Sequence, residues 1–349
     1  MSTQPAVVQY ALAPLAVELR EVPVPEIGDG EALLEVGAVS VCGSDVHQAH
    51  NTHSWAVNVP VVLGHEFGGT VARLGRGTTG IREGDRVVCE TAAEICGACV
   101  LCRTGRYNLC PWRKGFGYGI DGAMSQYVRV PARCLHRIPD SLPFDLACLT
   151  EPHSVAYQAM CVNSTIRPGD AVVVLGPGPI GLLCARMAAL SGADPLIVAG
   201  LKHDTDRLQA ARDLGATHVV DVDSTDLNEV VRSVSPIGAD LVCDATGASN
   251  ALATALRLTR PDGQVTKVGW SPQIIATDVN PIVQGNLKVQ GSFSHNYPVW
   301  ERVIHLLDRG VTRADRIVGL RAPLAGWREA FDAMHDGRVF KSVLVPTLH

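Results

Sequence analysis

The sequence predicts an α/β protein in two parts: a mostly-β domain, then a doubly wound parallel sheet set into the chain after it. Three observations carry this. Residues 1–155 read as short Val-rich segments broken by Gly, Pro and Asp. From residue 156 apolar strands alternate with amphipathic helices, the rhythm of parallel pairing. At 349 residues the chain also exceeds the size at which one core usually stops growing.

Within the first part, EALLEVGAVSVC, FGGTVARLG, DRVVCE and MSQYVRVPA are the expected strands. In the second, AVVVLG is a buried strand, PIGLLCARMAALSGA a helix and PLIVAG a second strand. DTDRLQAARDLGA, HVVDV, DLNEVVRSVS, ADLVCDATG, ALATALRLTRPDG and QVTKVGW continue the alternation to about residue 290. WERVIHLLDRG, WREAFDAMHDG and a last strand KSVLVP follow, so residues 291–349 are expected to return to the first domain.

Composition narrows the function class. Hydrophobic residues make up 46% and charged residues 19%, with a net charge of -5, which leaves no electrostatic footprint for nucleic acid. No apolar stretch has membrane-spanning length, so no membrane partner is expected. MSTQPAVVQYALAP lacks the charged start and apolar run of an export signal, and a cytoplasmic location is expected. Eleven cysteines, an odd number in a large chain, then read as reduced thiols serving metal. Cys89, Cys134, Cys148, Cys161, Cys184 and Cys243 stand singly among apolar residues and read as small buried hydrophobes.

Two constellations read as metal sites. Cys96, Cys99, Cys102 and Cys110 follow C-x2-C-x2-C-x7-C, enough thiolates to close a tetrahedral zinc site that holds a loop. A nucleic-acid zinc knuckle would need basic and aromatic neighbours, which ETAAEICGACVLC does not supply. Cys42 with the pair His65-Glu66 makes a mixed set that leaves a metal position open, the catalytic mode.

In VVVLGPGPIGLL, Gly176, Gly178 and Gly181 form G-x-G-x-x-G between a strand and a helix. The first glycine permits the turn, the second admits a pyrophosphate, and the third lets the helix pack on the strand. Gly200 stands where an acid reading the ribose of NAD would be expected, and Lys202, His203 and Arg207 follow. That favours NADP; NAD remains the alternative, with nearby Asp204 serving the ribose.

With CGSDVH (42–47), GHEFGGTV (64–71), GDRV (84–87), the four-cysteine lobe, EPHSVAYQA (151–159) and GPGPIG (176–181) in one order, the chain resembles the zinc-dependent medium-chain dehydrogenase/reductase family. Within it the likeness is greatest to polyol (sorbitol or L-iditol) dehydrogenases, with threonine and glucose dehydrogenases as neighbours. The resemblance implies a GroES-like catalytic domain (1–155), a Rossmann domain (156–290), a C-terminal return (291–349) and a cleft between the domains. It implies two zincs per chain, with Cys42, His65 and Glu66 on the catalytic one and Glu151 joining them directly or through a water. Ser44 and His47 match the proton relay, and Asp45 would orient His65. Beside the three glycines, Pro179, Ile180, Gly200, Lys202, Arg207, Thr246, Val268, Phe293 and Lys341 are placed against the cofactor.

The implied activity is hydride transfer between a secondary alcohol of a polyol, sugar or sugar derivative and NAD(P), by a homodimer or homotetramer. A threonine- or glucose-type dehydrogenase is the nearest rival, and a non-catalytic nucleotide-binding relative the more distant one. One departure stands out. Ser294 and His295 follow Phe293, where polyol dehydrogenases often carry a substrate-contacting arginine. His50, His53 and Trp55 in the segment HQAHNTHSWAVNVP are further candidates for shaping a pocket.

Overall fold

The computed structural model describes residues 2–270 and 273–346. The chain divides into two compact units, Met1–Glu151 with His295–His349, and Pro152–Ser294.

The first unit is the mostly-β, GroES-like domain. Its larger sheet runs Val318–Pro323, Lys341–Val345, Glu31–Ser40, Glu66–Leu74, Arg86–Cys89 and Leu135–Arg137, with Tyr127–Pro131 also paired to Glu31–Ser40. A smaller sheet joins Val17–Pro23, Thr3–Gln9 and Val61–Val62. The strand Glu31–Ser40 is central because EALLEVGAVS is apolar on both faces: Leu34, Val36, Ala38 and Val39 are all fully buried. Its antiparallel register sets Ser40 opposite Glu66. Cys42 comes two residues after one end of that pair and His65 one residue before the other, so sheet register alone brings the metal-binding residue types together. The chain's last strand, Lys341–Val345, pairs with the same central strand and so returns to this unit.

The second unit is a Rossmann-like α/β sheet. Six parallel strands lie in the order His218–Asp221, Leu196–Gly200, Val172–Leu175, Ala239–Asp244, Thr259–Lys267 and Lys288–Gly291. In chain order that is 3-2-1-4-5-6, with the topological switch between Val172–Leu175 and Ala239–Asp244. The first strand, VVVL, is buried throughout, as a strand with helices on both faces must be. Five of the six isolated cysteines are buried and Cys161 is half-buried, and none of the eleven is bridged. Among the described residues no helix is long and apolar enough to cross a membrane.

The glycine turn shows how sequence sets backbone here. Gly176 has φ +90°, a left-handed conformation that disfavours side chains. A Cβ on Gly181 would lie 1.8 Å from the Gly176 carbonyl oxygen, so the helix Pro179–Leu190 reaches the strand only without one. Gly181→Ala is therefore expected to push the helix off the strand. Overpacking of this kind costs about 1–3 kcal/mol, read as a lower urea midpoint together with weakened dinucleotide binding in a fluorescence titration. Unchanged midpoint and binding would contradict the packing role.

Candidate metal centre and nucleotide turn

Three of the expected ligands converge. One donor atom each from Cys42, His65 and Glu66 lies within 4.8 Å of the other two. Cys42 is the N-cap of the helix Gly43–Ala49, and its N–H donates to Asp45 Oδ2 at 2.8 Å. The other Asp45 oxygen stands 3.5 Å from His65 Nδ1, so one fully buried carboxylate spans the backbone of one candidate ligand and the ring of another. Burial alone would lower the His65 imidazole, but Asp45 and Cys42 together raise it well above its ordinary value.

Glu66 is fully buried and held asymmetrically. Its Oε2 accepts from the Ser40 hydroxyl and the Lys341 amine, while Oε1 is buried with no partner. An orphaned carboxylate oxygen beside a thiol and an imidazole suits a borderline-soft divalent ion that accepts S, N and O donors. The residues present therefore fit zinc.

Lys341, which the resemblance places against the cofactor, is 2% exposed, with its Nζ on Glu66 and, at 2.9 Å, on the Val41 carbonyl. Burial opposes its charge; Glu66 and Cys42 more than offset that and raise its pKa. Glu151 lies outside the three-donor set, and its Oε1 meets His295 Nε2 at 3.0 Å. Burial would raise this carboxyl, yet the His295 hydrogen bond, then His65 and Lys341, hold it low. Glu151 is thus within electrostatic reach of the three-donor pocket.

Ser44 and His47 share a helix but are not bonded to each other. Ser44 Oγ is 3.4 Å from His65 Nε2, and His47 Nδ1 meets Thr52 Oγ1 at 2.9 Å. Burial lowers the His47 pKa, helped by His335, His50 and His53. His50 stacks on His335 at 4.0 Å, and Trp55 Nε1 donates to Gln48.

The four-cysteine lobe has little apolar packing of its own. Its helix Val100–Arg103 buries no residue, and Val100, Leu109 and Trp112 are exposed. Cys96, Cys99, Cys102 and Cys110 offer four sulfurs within 4.8 Å of one another. The Cys99 and Ala98 N–H groups lower the Cys96 thiol to about 6, while desolvation and the Cys99 and Cys110 sulfurs push Cys102 up to about 12. The Cys96 shift comes from backbone donors and the Cys102 shift from desolvation and its sulfur neighbours, and four sulfurs this close would suit a cation between them. Sequence reasoning missed the polar network that braces the lobe. Tyr107 donates to Glu90, which also meets His136 Nε2 at 3.0 Å, and His136 Nδ1 meets Glu301 at 2.6 Å.

In the second unit, a Cβ on Gly178 would meet nothing within 4 Å, leaving space where a pyrophosphate would approach. Pro179 and Ile180 open the helix at that turn. A Cβ on Gly176 would strike Thr246, whose N–H and hydroxyl both donate to Asp244 at 2.9 Å. Val268 N–H donates to the Asp244 carbonyl. Phe293 stacks against Trp270 at 5.7 Å, both partly exposed. Gly200 ends its strand under Pro177, with no room for a Cβ. Arg207 is paired with Asp204 at 3.0 Å, so the candidate phosphate base and the candidate ribose acid occupy each other. Lys202 and His203 remain exposed.

Comparison with known proteins agrees with both units. Residues 28–140 match the alcohol dehydrogenase GroES-like domain family, and residues 179–309 the zinc-binding dehydrogenase family. D-arabitol-phosphate dehydrogenase of Enterococcus avium is 37% identical over 93% of this chain and 92% of its own. Sorbitol dehydrogenase of Halalkalibacterium halodurans is 37% identical (94% and 95%), and L-threonine 3-dehydrogenase of Bacillus velezensis 34% (94% and 95%). Among solved structures, a zinc-binding dehydrogenase from Sinorhizobium meliloti 1021 bound to NADP superposes with TM-score 0.91 at 29% identity, covering 99% of this chain and 100% of that one. An alcohol dehydrogenase from E. coli CFT073 complexed with NADH gives TM-score 0.90 at 25% identity, with the same coverage. The chain belongs to the zinc-dependent medium-chain dehydrogenase/reductase family of NAD(P)-linked oxidoreductases.

Proposed function

We propose that this oxidoreductase acts on a secondary alcohol of a polyol, sugar or sugar derivative, with Cys42, His65 and Glu66 holding a catalytic zinc. The observation that carries the reading is the three-donor pocket with its orphaned Glu66 oxygen. Zinc, when bound, supplies a Lewis acid that lowers the cost of deprotonating an alcohol near neutral pH. Hydride acceptance belongs to the nicotinamide, which the protein binds and orients. Asp45 fixes the His65 ring, and Ser40 with Lys341 fixes Glu66. Glu151 faces the same pocket as an additional carboxylate, and Ser44 with His47 carries the released proton toward solvent. The second zinc belongs to Cys96, Cys99, Cys102 and Cys110 and does no chemistry.

Residues 156–290 serve as the nucleotide-binding part, and residues 1–155 with 291–349 as the catalytic part. The empty acid position at Gly200 and the exposed Lys202 and His203 support NADP over NAD. A homo-oligomer is supported by the edge strand Lys288–Gly291, where Val289 is 42% exposed and nearby Val283 83%. The similarity to D-arabitol-phosphate and sorbitol dehydrogenases supports a polyol substrate. The similarity to L-threonine 3-dehydrogenase supports the rival amino-acid substrate.

Elemental analysis of the purified protein is expected to give two zincs per chain. Cys42→Ala should lose one of them and cut kcat at least about 100-fold while the fold persists, since it removes a metal ligand outright; two zincs in the variant would defeat the assignment. Steady-state rates over a panel of polyols, sugar phosphates, aldoses and L-threonine, each with NADP and NAD, are expected to peak on a polyol or sugar derivative with NADP. Turnover confined to L-threonine, or a large preference for NAD, would reject the corresponding part of the reading. Alcohol oxidation needs His47 neutral, so the rate should fall as pH drops through its lowered pKa. His335→Asn removes a repelling neighbour, raises that pKa and should move the acid limb of kcat/KM to higher pH; no movement would detach His47 from proton release.

A further inference from the structure

Trp300 is fully buried, and its indole has a single polar hydrogen and no acceptor atom. Its Nε1 lies 2.6 Å from His295 Nδ1. That nitrogen must accept, because two N–H groups cannot face each other at such a distance. The hydrogen that His295 can offer therefore sits on Nε2, which meets Glu151 Oε1 at 3.0 Å. The chain Trp300, His295, Glu151 thus has one direction of donation throughout. His295 is 1% exposed, so no bulk water competes for either nitrogen. The two rings also meet edge to face at 5.1 Å, which fixes the imidazole plane. Ser294 just before it holds φ +56°, a left-handed conformation that a side-chain-bearing residue keeps only where its surroundings impose it.

We propose that His295 is a positioning residue: locked by Trp300 in its Nε2–H tautomer, it holds Glu151 Oε1 and leaves the other oxygen for the Cys42–His65–Glu66 pocket. This rests on the reading of that pocket as the catalytic zinc site.

Two measurements on the zinc-loaded protein test this separately from the metal assignment. Long-range proton–nitrogen correlation of histidine-labelled protein, with His295 identified by its loss in His295→Gln, is expected to show the Nε2–H form. Trp300→Phe should admit the Nδ1–H form. An Nδ1–H or doubly protonated His295 in the wild type overturns the proposal whether or not zinc binds. Cobalt substitution supplies the second readout. His295→Leu should shift the visible bands of one of the two cobalt sites and weaken zinc there by about 10- to 100-fold in a chelator competition, the usual range for a partner behind a metal site. His295→Gln, which keeps a donor, should restore both while leaving the cofactor KM unchanged. Wild-type bands and wild-type zinc retention in His295→Leu overturn the proposal. Absence of a second zinc from the wild type is the separate failure of the metal assignment, already visible before any variant is made.

Discussion

Charge balance around Glu66 is the constraint on which the first unit depends. Asp45 and Glu66 are fully buried, Glu151 is 8% exposed, and Cys42 adds an ionisable sulfur beside them. Lys341, shared with the Val41 carbonyl, faces this group, and so does His65, raised by Asp45 and Cys42. An unpaired buried charge costs several kcal/mol, and a divalent ion held by Cys42, His65 and Glu66 would add positive charge here and satisfy the orphaned Glu66 oxygen. Taking Lys341 away would leave Glu66 buried with the Ser40 hydroxyl as its remaining hydrogen-bond donor.

What could be read in advance depended on sequence distance. The cysteine spacing of the lobe and the glycine turn are local patterns, and both fold into the arrangements their spacing implies. Cys42, His65 and Glu66 were legible because a single strand pairing, Ser40 opposite Glu66, closes their gap. The partners that orient the carboxylates were not legible. Lys341 reaches Glu66 across 275 residues, and His295 reaches Glu151 across 144. No periodicity within either segment signals such a pairing. The pairing of Arg207 with Asp204 is close in sequence, yet an i, i+3 spacing at a helix start is equally compatible with two solvated side chains.

The two metal-binding groups differ in what their surroundings contribute. Around the four cysteines the local chain is short, exposed and nearly without apolar packing, so its cohesion falls to the sulfurs and to polar contacts such as Tyr107 to Glu90. Around Cys42 the opposite holds. The central strand, its neighbours and the helix Gly43–Ala49 pack into the core of the unit, and hydrogen bonds hold the Cys42 backbone and one Glu66 oxygen. A site that must bind a substrate oxygen needs that support, because an open coordination position cannot be defined by the ligands alone.

The C-terminal return acquires a role beyond completing the sheet. Lys341 and His295 both come from it, and each donates to one oxygen of a carboxylate supplied by the first 151 residues. In both cases the bond uses one oxygen, and for Glu66 the second is left buried without a partner. A carboxylate free to rotate would present either oxygen and spread its charge over several directions. With one oxygen anchored, the other points along a single line at no further entropic cost. The acids are placed by the chain's beginning and held by its end, and the Lys341 contact to Glu66 comes with the pairing of the final strand, Lys341–Val345, to Glu31–Ser40.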